Sequence, residues 1–307
     1  MAHGIMFHHF HSEQHRNRSG SISANDLERM IDRIEVSRKI LDPREFQSEV
    51  ERGQLERDAV VLSFDDGLLC QIDVALPVLE SKSITGLFNI YTGIFDETPP
   101  PLEIFSFFRE TFFDDFSRFW VSFYQAFVHT FPNLESRYVQ GYPDDYLENF
   151  PFYSSEERRF RFIRDKILNS EDYEQIMWHL IDETGFDVAA AKKSLWMSQE
   201  DLKKLESAGH SIGLHSHSHP MTMSALPSYR QRQEFQTNQE ILGNALRFKP
   251  TMMAHPCGSY SSETIRVLEE LGVTLGFRSS LTPGNFSSNL EIPREDHSNL
   301  MKAMFDK

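Results

Sequence analysis

Strand-like and helix-like runs alternate along the two ends of this chain, and that alternation constrains its fold more than any other feature. A strand over 4–10 opens the sequence, and a run with helical spacing over 25–34 follows, carrying Leu27, Met30, Ile31 and Ile34. A strand rich in apolar residues covers 59–64, a short helix 74–79, and a further strand 85–91. Pro77 is admissible in that short helix only near its first turn. Strand, helix, strand, helix, strand argues for a parallel sheet with helical crossovers. The rhythm returns at Leu195. Ser198 reads as an N-cap, Met197 and Leu202 as a hydrophobic staple, and Gly209 as the residue that closes the helix. A strand at 211–214, a helix at 229–246 and a strand at 251–255 follow. Ser261 or Ser262 then caps a helix carrying Ile265, Leu268 and Leu271, Gly272 ends it, and a strand covers 273–277. A chain of 307 residues has room for one large α/β domain or two smaller ones.

Residues from about 96 to 194 break the rhythm. Pro99, Pro100 and Pro101 open the stretch, a run rich in Phe, Trp and Tyr extends from Phe105 to Phe131, and helical patches follow at 157–168 and 172–181. The expected organisation is a single domain over 1–307, interrupted by a mostly helical insertion at about 96–194. The aromatic run has three readings: core of a helical subdomain, a lid or wall over a substrate, or a contact with a lipid carrier or second subunit. The charges at Glu103, Arg109, Glu110, Asp114, Asp115 and Arg118 argue against a membrane span.

Lys and Arg number 31 against 46 Asp and Glu, a formal net charge of −15. Nucleic-acid binders need a basic footprint, so this balance argues against that class. Two cysteines, Cys70 and Cys257, make no disulfide framework, and Cys70 reads as buried packing. No apolar run reaches membrane-spanning length, and no basic segment followed by a long apolar one opens the sequence. A cytoplasmic enzyme is the expectation; oligomeric state is not legible.

Two short runs carry the chemistry. Asp65-Asp66-Gly67 follows the strand at 59–64, and His215-Ser216-His217-Ser218-His219 follows the strand at 211–214. An Asp-Gly pair alone is a common turn, and a lone histidine is more often structural than a ligand. Carboxylates and clustered histidines at the C-terminal ends of parallel strands are better placed, because α/β folds put their sites there. One carboxylate with two imidazoles can hold a divalent metal with open positions for water and substrate. Adjacent residues point in different directions, so a second carboxylate is left to act as a base.

Phe64-Asp65-Asp66-Gly67, His215-Ser216-His217-Ser218-His219-Pro220 and Ala254-His255-Pro256-Cys257-Gly258-Ser259-Tyr260, in that order, resemble the polysaccharide deacetylase family, carbohydrate esterase family 4. The resemblance covers 1–95 and about 195–296. It implies a distorted (β/α)7 barrel of TIM-like type and metal-dependent removal of an acetyl group from a sugar. By position, Asp65 would be the general base, and Asp66, His215 and His219 would hold one divalent metal, with zinc the expected ion. His217 falls between the ligands and is not implied. The Cys257 backbone N–H matches the position that stabilises the oxyanion, a role that tolerates side-chain change.

Two departures stand out. Many members begin the third motif with an arginine that pairs with the base, where this chain has Ala254; Arg294, in Ile292-Pro293-Arg294, is the candidate replacement. The competing reading of Arg294 is a surface ion pair with Glu295 or Asp296. Many members also carry a late histidine as general acid, and no clear copy is found. A branch of the family starts with a strand ending in Tyr-His, which Met6-Phe7-His8 resembles, so His8 is the first choice of acid, ahead of His297 and His9. The substrate expected of a cytoplasmic member is an acylated amino sugar, nucleotide-linked or lipid-linked, used in surface-polysaccharide assembly. The alternatives are a non-catalytic carbohydrate-binding protein on the same fold, and a metal hydrolase of a non-sugar amide.

Overall fold

The computed structural model describes residues 1–18, 20–148, 153–281 and 288–305. They fall into two units, Met1–Pro100 with Leu195–Lys307, and Pro101–Ser194. The first unit is built on β1 (His3–Phe7), β2 (Lys39–Ile40), β3 (Ala59–Asp65), β4 (Leu87–Ile90), β5 (Ser211–Leu214), β6 (Met252–Ala254), β7 (Leu275–Phe277) and β8 (Arg294–Asp296). Their order is β7-β6-β5-β4-β3-β1-β8, with β2 paired to β3. All these pairings are parallel. Ile292, just before β8, bridges Phe277 of β7, and the Arg278 N–H donates to the Ile292 carbonyl at 3.0 Å. The sheet thus returns almost onto itself, forming a nearly closed barrel of the expected (β/α)7 type.

The helices form where amphipathic spacing and caps coincide. Ala24–Glu35 buries Leu27, Met30, Ile31 and Ile34, and Ser23 with Asp26 closes a capping box at its start. Ser198 and Asp201 do the same for Gln199–Ser207. The connector expected at 74–79 is longer, a π-helical turn Gln71–Ala75 running into Leu76–Ser81, with Pro77 in the first turn of the latter. The first strand ends at Phe7 rather than at residue 10, because pairing with β3 stops at Phe7 and Phe64. His8, His9 and His11 therefore lie beyond it. Helices Pro43–Glu51 and His297–Phe305, with β2 and β8, add to the expected elements. No described helix is long and apolar enough to cross a membrane.

Side chains alternate across each strand, so every second residue faces the barrel axis. At the N-terminal end these inward residues make an apolar floor: Val61, Leu87, Met252, Ala254, Leu275 and Phe277 pack together with Phe46 and Ile292. Further along the strands the row turns polar. Asp65 is level with Asn89 on β4, and Asn89 is level with Gly213 on β5. On the other side, Gly4 of β1 is level with Arg294 of β8.

The second unit is helical: Pro101–Phe112, Phe116–Thr130, Pro132–Gly141, Ser155–Phe162, Ser170–Thr184 and most of Val188–Leu195. The aromatic run supplies its core. Phe123 meets Phe160 at 4.9 Å between ring centres, Phe119 meets Phe160 at 5.2 Å, and Phe105, Phe108 and Phe127 are buried as well. Edge-to-face pairs of this kind add to the stabilisation from area burial alone.

Candidate active site

Asp65 ends β3, and the chain turns sharply after it, with Asp66 (φ 78°) and Gly67 (φ 62°) both left-handed. This turn sends the two carboxylates different ways. Asp66 Oδ1 lies 3.4 Å from Nε2 of His215 and 3.4 Å from Nε2 of His219. The three ligand atoms lie within 4.8 Å of one another. Asp66 Oδ1 is buried without a hydrogen-bond partner. The His215 Nδ1 sits 2.8 Å from the Ala254 carbonyl, which only accepts, so Nδ1 carries the proton and Nε2 presents its lone pair to Asp66. A bare carboxylate oxygen facing an oriented imidazole lone pair is a donor set suited to a divalent cation. Burial alone would raise the Asp66 carboxyl, but the adjoining His215 imidazole and the charges of His219 and His8 hold it well below the usual range. Burial would likewise lower His215, and Asp65 and Asp66 reverse that by demanding positive charge beside them. A cation between these groups answers the same demand.

The loop carrying the histidines is held by a helix behind it. Asn238 Oδ1 accepts the His215 N–H at 3.0 Å. Glu234, one turn earlier on helix Ser228–Leu246, accepts the N–H groups of His217 (3.0 Å) and Ser218 (2.7 Å). Ser216 (φ 64°) and His219 (φ 54°) are left-handed, and Ser216 Oγ accepts the His219 N–H. Such strain persists only where surrounding contacts enforce it. His217 turns aside, with Nε2 3.2 Å from Asp96 and Nδ1 3.0 Å from Thr92 Oγ1. Tyr91 lines the far side, its ring 5.2 Å from His219 and edge-on to Trp196.

Asp65 points inward and is 1% exposed. Its Oδ1 accepts from Asn89 Nδ2 at 2.8 Å and from the Arg294 guanidinium at 2.8 Å, and its Oδ2 lies 2.8 Å from the same guanidinium. Burial pushes the Asp65 carboxyl up, yet Arg294, His215 and His8 outweigh it and hold the group at about 2. Arg294 is itself 1% exposed and also donates to Ser63 Oγ and the Arg278 carbonyl. The surface-pair reading of Arg294 is thereby overturned. Gly4 makes this possible: a Cβ there would come 2.8 Å from Arg294 Cγ. Ala254, where many family members carry arginine, belongs to the apolar floor.

His8 Nε2 lies 4.0 Å from Asp65 Oδ2, and the imidazole is one-third exposed. Gln71 ties the two together from behind, its amide donating to the carbonyls of Asp65 (2.6 Å) and His8 (3.0 Å). The other two candidate acids are engaged elsewhere. His297 is buried with Nε2 3.0 Å from the Gly20 carbonyl, and His9 Nδ1 lies 3.2 Å from Arg18. Cys257 is left-handed (φ 51°) and exposed; local desolvation and the Asp66 charge push its thiol up. The neighbouring N–H groups of Gly258 and Ser259 are taken by carbonyls, and among the described residues no acceptor is found for that of Cys257. His255 behind it is buried, held down to about 4 by desolvation, and stacked on Tyr260 at 4.3 Å. Cys70 is buried and accepts the Phe10 N–H.

Asn89, Gln71, Glu234 and Asn238 are site residues that motif reading does not find. The last two carry a faint signal, polar side chains four apart on one helix; Asn89 carries none.

The resemblance to polysaccharide deacetylases is borne out by comparison, but not its expected extent, since the matched stretch reaches into the insertion and does not include 1–95. The family model described as polysaccharide deacetylase matches residues 169–276. Among solved structures the chain is similar to the Streptococcus pyogenes deacetylase PplD in complex with acetate (15% identity, 99% of this chain and 97% of that one, TM-score 0.57). It is similar to IcaB from Ammonifex degensii (15%, 95% and 90%, TM-score 0.56) and to the BpsB deacetylase domain from Bordetella bronchiseptica (13%, 96% and 94%, TM-score 0.54). No curated protein sequence matches.

Proposed function

We propose that this chain, part of which matches the polysaccharide deacetylase family model, is a metal-dependent hydrolase that removes an N-acetyl group from an amino sugar. The observation that carries the reading is the division of labour between adjacent carboxylates: Asp66 meets two imidazoles, while Asp65 is held ionised and apart from them. Asp66, His215 and His219 would hold the metal, zinc by their donor chemistry, which when bound polarises the acyl carbonyl and acidifies water.

Asp65 takes the proton of the attacking water through Oδ2, which has one donor where Oδ1 has two. Arg294 keeps Asp65 charged. The Cys257 N–H donates to the oxygen that becomes negative in the tetrahedral intermediate. His8 hands a proton to the departing nitrogen, which would otherwise leave as an unstable anion. The substrate class that goes with a cytoplasmic enzyme is a nucleotide-linked or lipid-linked acylamino sugar.

The reading is tested by metal analysis of the purified protein together with acetate release from N-acetylglucosamine oligomers and from a nucleotide-linked N-acetyl sugar. One metal per chain with acetate released supports it. Metal-loaded protein that binds these sugars and releases no acetate rejects it in favour of a binding role.

The assignment of His8 has its own test. An acetyl ester with a p-nitrophenolate leaving group needs no acid, whereas an amide does. His8→Gln is expected to lose about 10²-fold on the amide while retaining most of its rate on the ester. Equal losses on both would remove His8 from the acid role.

A further inference from the structure

Asn89 has half of its amide satisfied in a fully buried setting, which a structural role does not explain. Its Nδ2 donates to Asp65 Oδ1 at 2.8 Å, while its Oδ1 is buried without a partner. An unsatisfied buried carbonyl is destabilising, and a leucine of similar volume would avoid that cost. The amide cannot be reversed, since Asp65 only accepts. Room for the oxygen comes from β5: a Cβ on Gly213 would collide with Asn89 Oδ1. Asp65, Asn89 and Gly213 stand level on three consecutive strands, so one row of the barrel is shaped around this single hydrogen bond.

Resting on the deacetylase reading above, we infer that Asn89 is a positioning residue for the base and that Gly213 is the space it requires. Arg294 and Asn89 approach the Asp65 carboxylate from opposite neighbours, β8 across β1 and β4. Two donors on Oδ1 against one on Oδ2 fix the rotation of the carboxylate and leave Oδ2 the oxygen with room for the water. With Arg294 alone, the carboxylate pivots about a single guanidinium nitrogen.

The test uses Asn89→Leu and Asn89→Ala, each alone and the latter combined with Gly213→Ala, with acetate release from N-acetylglucosamine oligomers as the assay. Asn89→Leu should lower kcat about 10-fold to 100-fold with KM and metal content unchanged, and with Tm equal to or above that of the parent protein. A structural role predicts the reverse, a lower Tm with kcat intact, and that outcome overturns the inference. Gly213→Ala should lower kcat in the parent chain, because the amide is displaced, and should cost nothing further in the Asn89→Ala background. Additive losses would also overturn it. If Asp65→Asn turns over normally, the deacetylase reading of Asp65 fails first; if only the Asn89 variants do, that reading stands without this one.

Discussion

Replacing Asp65 with Asn should abolish acetyl hydrolysis, by about 10³-fold or more, while one metal stays bound. Removal of a general base alone accounts for about 10²-fold to 10⁴-fold. Asn also loses the charge that holds Arg294, and the Asn89 amide then faces a neutral group. Metal retention is expected because Asp66, His215 and His219 are untouched. Stability falls as well: Arg294, 1% exposed, becomes a buried charge without its counter-ion, at a cost of about 3–5 kcal/mol. Adding Arg294→Met to Asp65→Asn should recover part of that stability and none of the activity, which separates the two effects. Turnover near the parent rate in metal-loaded Asp65→Asn would end the assignment of Asp65 as base.

Arg294→Met is the second large effect, and it shows in the pH profile. The Asp65 carboxyl sits at about 2 in the folded chain against a reference of 3.8. The folded state is therefore favoured by its ionisation at every pH above 3.8, and that contribution is lost as pH falls through about 2. Without the guanidinium, burial prevails and the carboxyl rises. The acid limb of kcat/KM should then move to higher pH, and the unfolding free energy at neutral pH should drop by about 3–5 kcal/mol. An unchanged acid limb in a folded Arg294→Met protein would show that Arg294 does not govern the protonation of Asp65. Arg294→Lys should restore charge and part of the profile, but one ammonium cannot reproduce the contacts to Asp65, Ser63 and the Arg278 carbonyl together.

The barrel and the candidate metal-binding trio are legible in the sequence because each rests on adjacent residues. Apolar runs of strand length and the pairs Asp65-Asp66 and His215/His219 declare themselves within a few positions. The rest of the site depends on distance. Arg294 reaches Asp65 from 229 residues away, on a strand of three residues too short to show a pattern. Its burial, and hence the failure of the surface-pair reading, follows from β8 lying beside β1 and only one strand from β3. Asn89 looks like an interruption in an apolar strand until its level with Asp65 is known. Gly4 and Gly213 look like ordinary strand glycines until the side chains that fill their places are seen.

The apolar floor also bears on how a barrel of this type can be recognised. Ala254 lies in that floor, and the guanidinium that many polysaccharide deacetylases extend from the matching position comes here from β8, through the gap left by Gly4. A closed ring of strands has no first or last member, so a charged group can be delivered to one point of its cross-section from more than one spoke. Functional equivalence in such a barrel belongs to an address in space. A search that demands each motif residue at its usual place in the chain would score this protein as damaged, although the guanidinium missing from that place is present at the carboxylate.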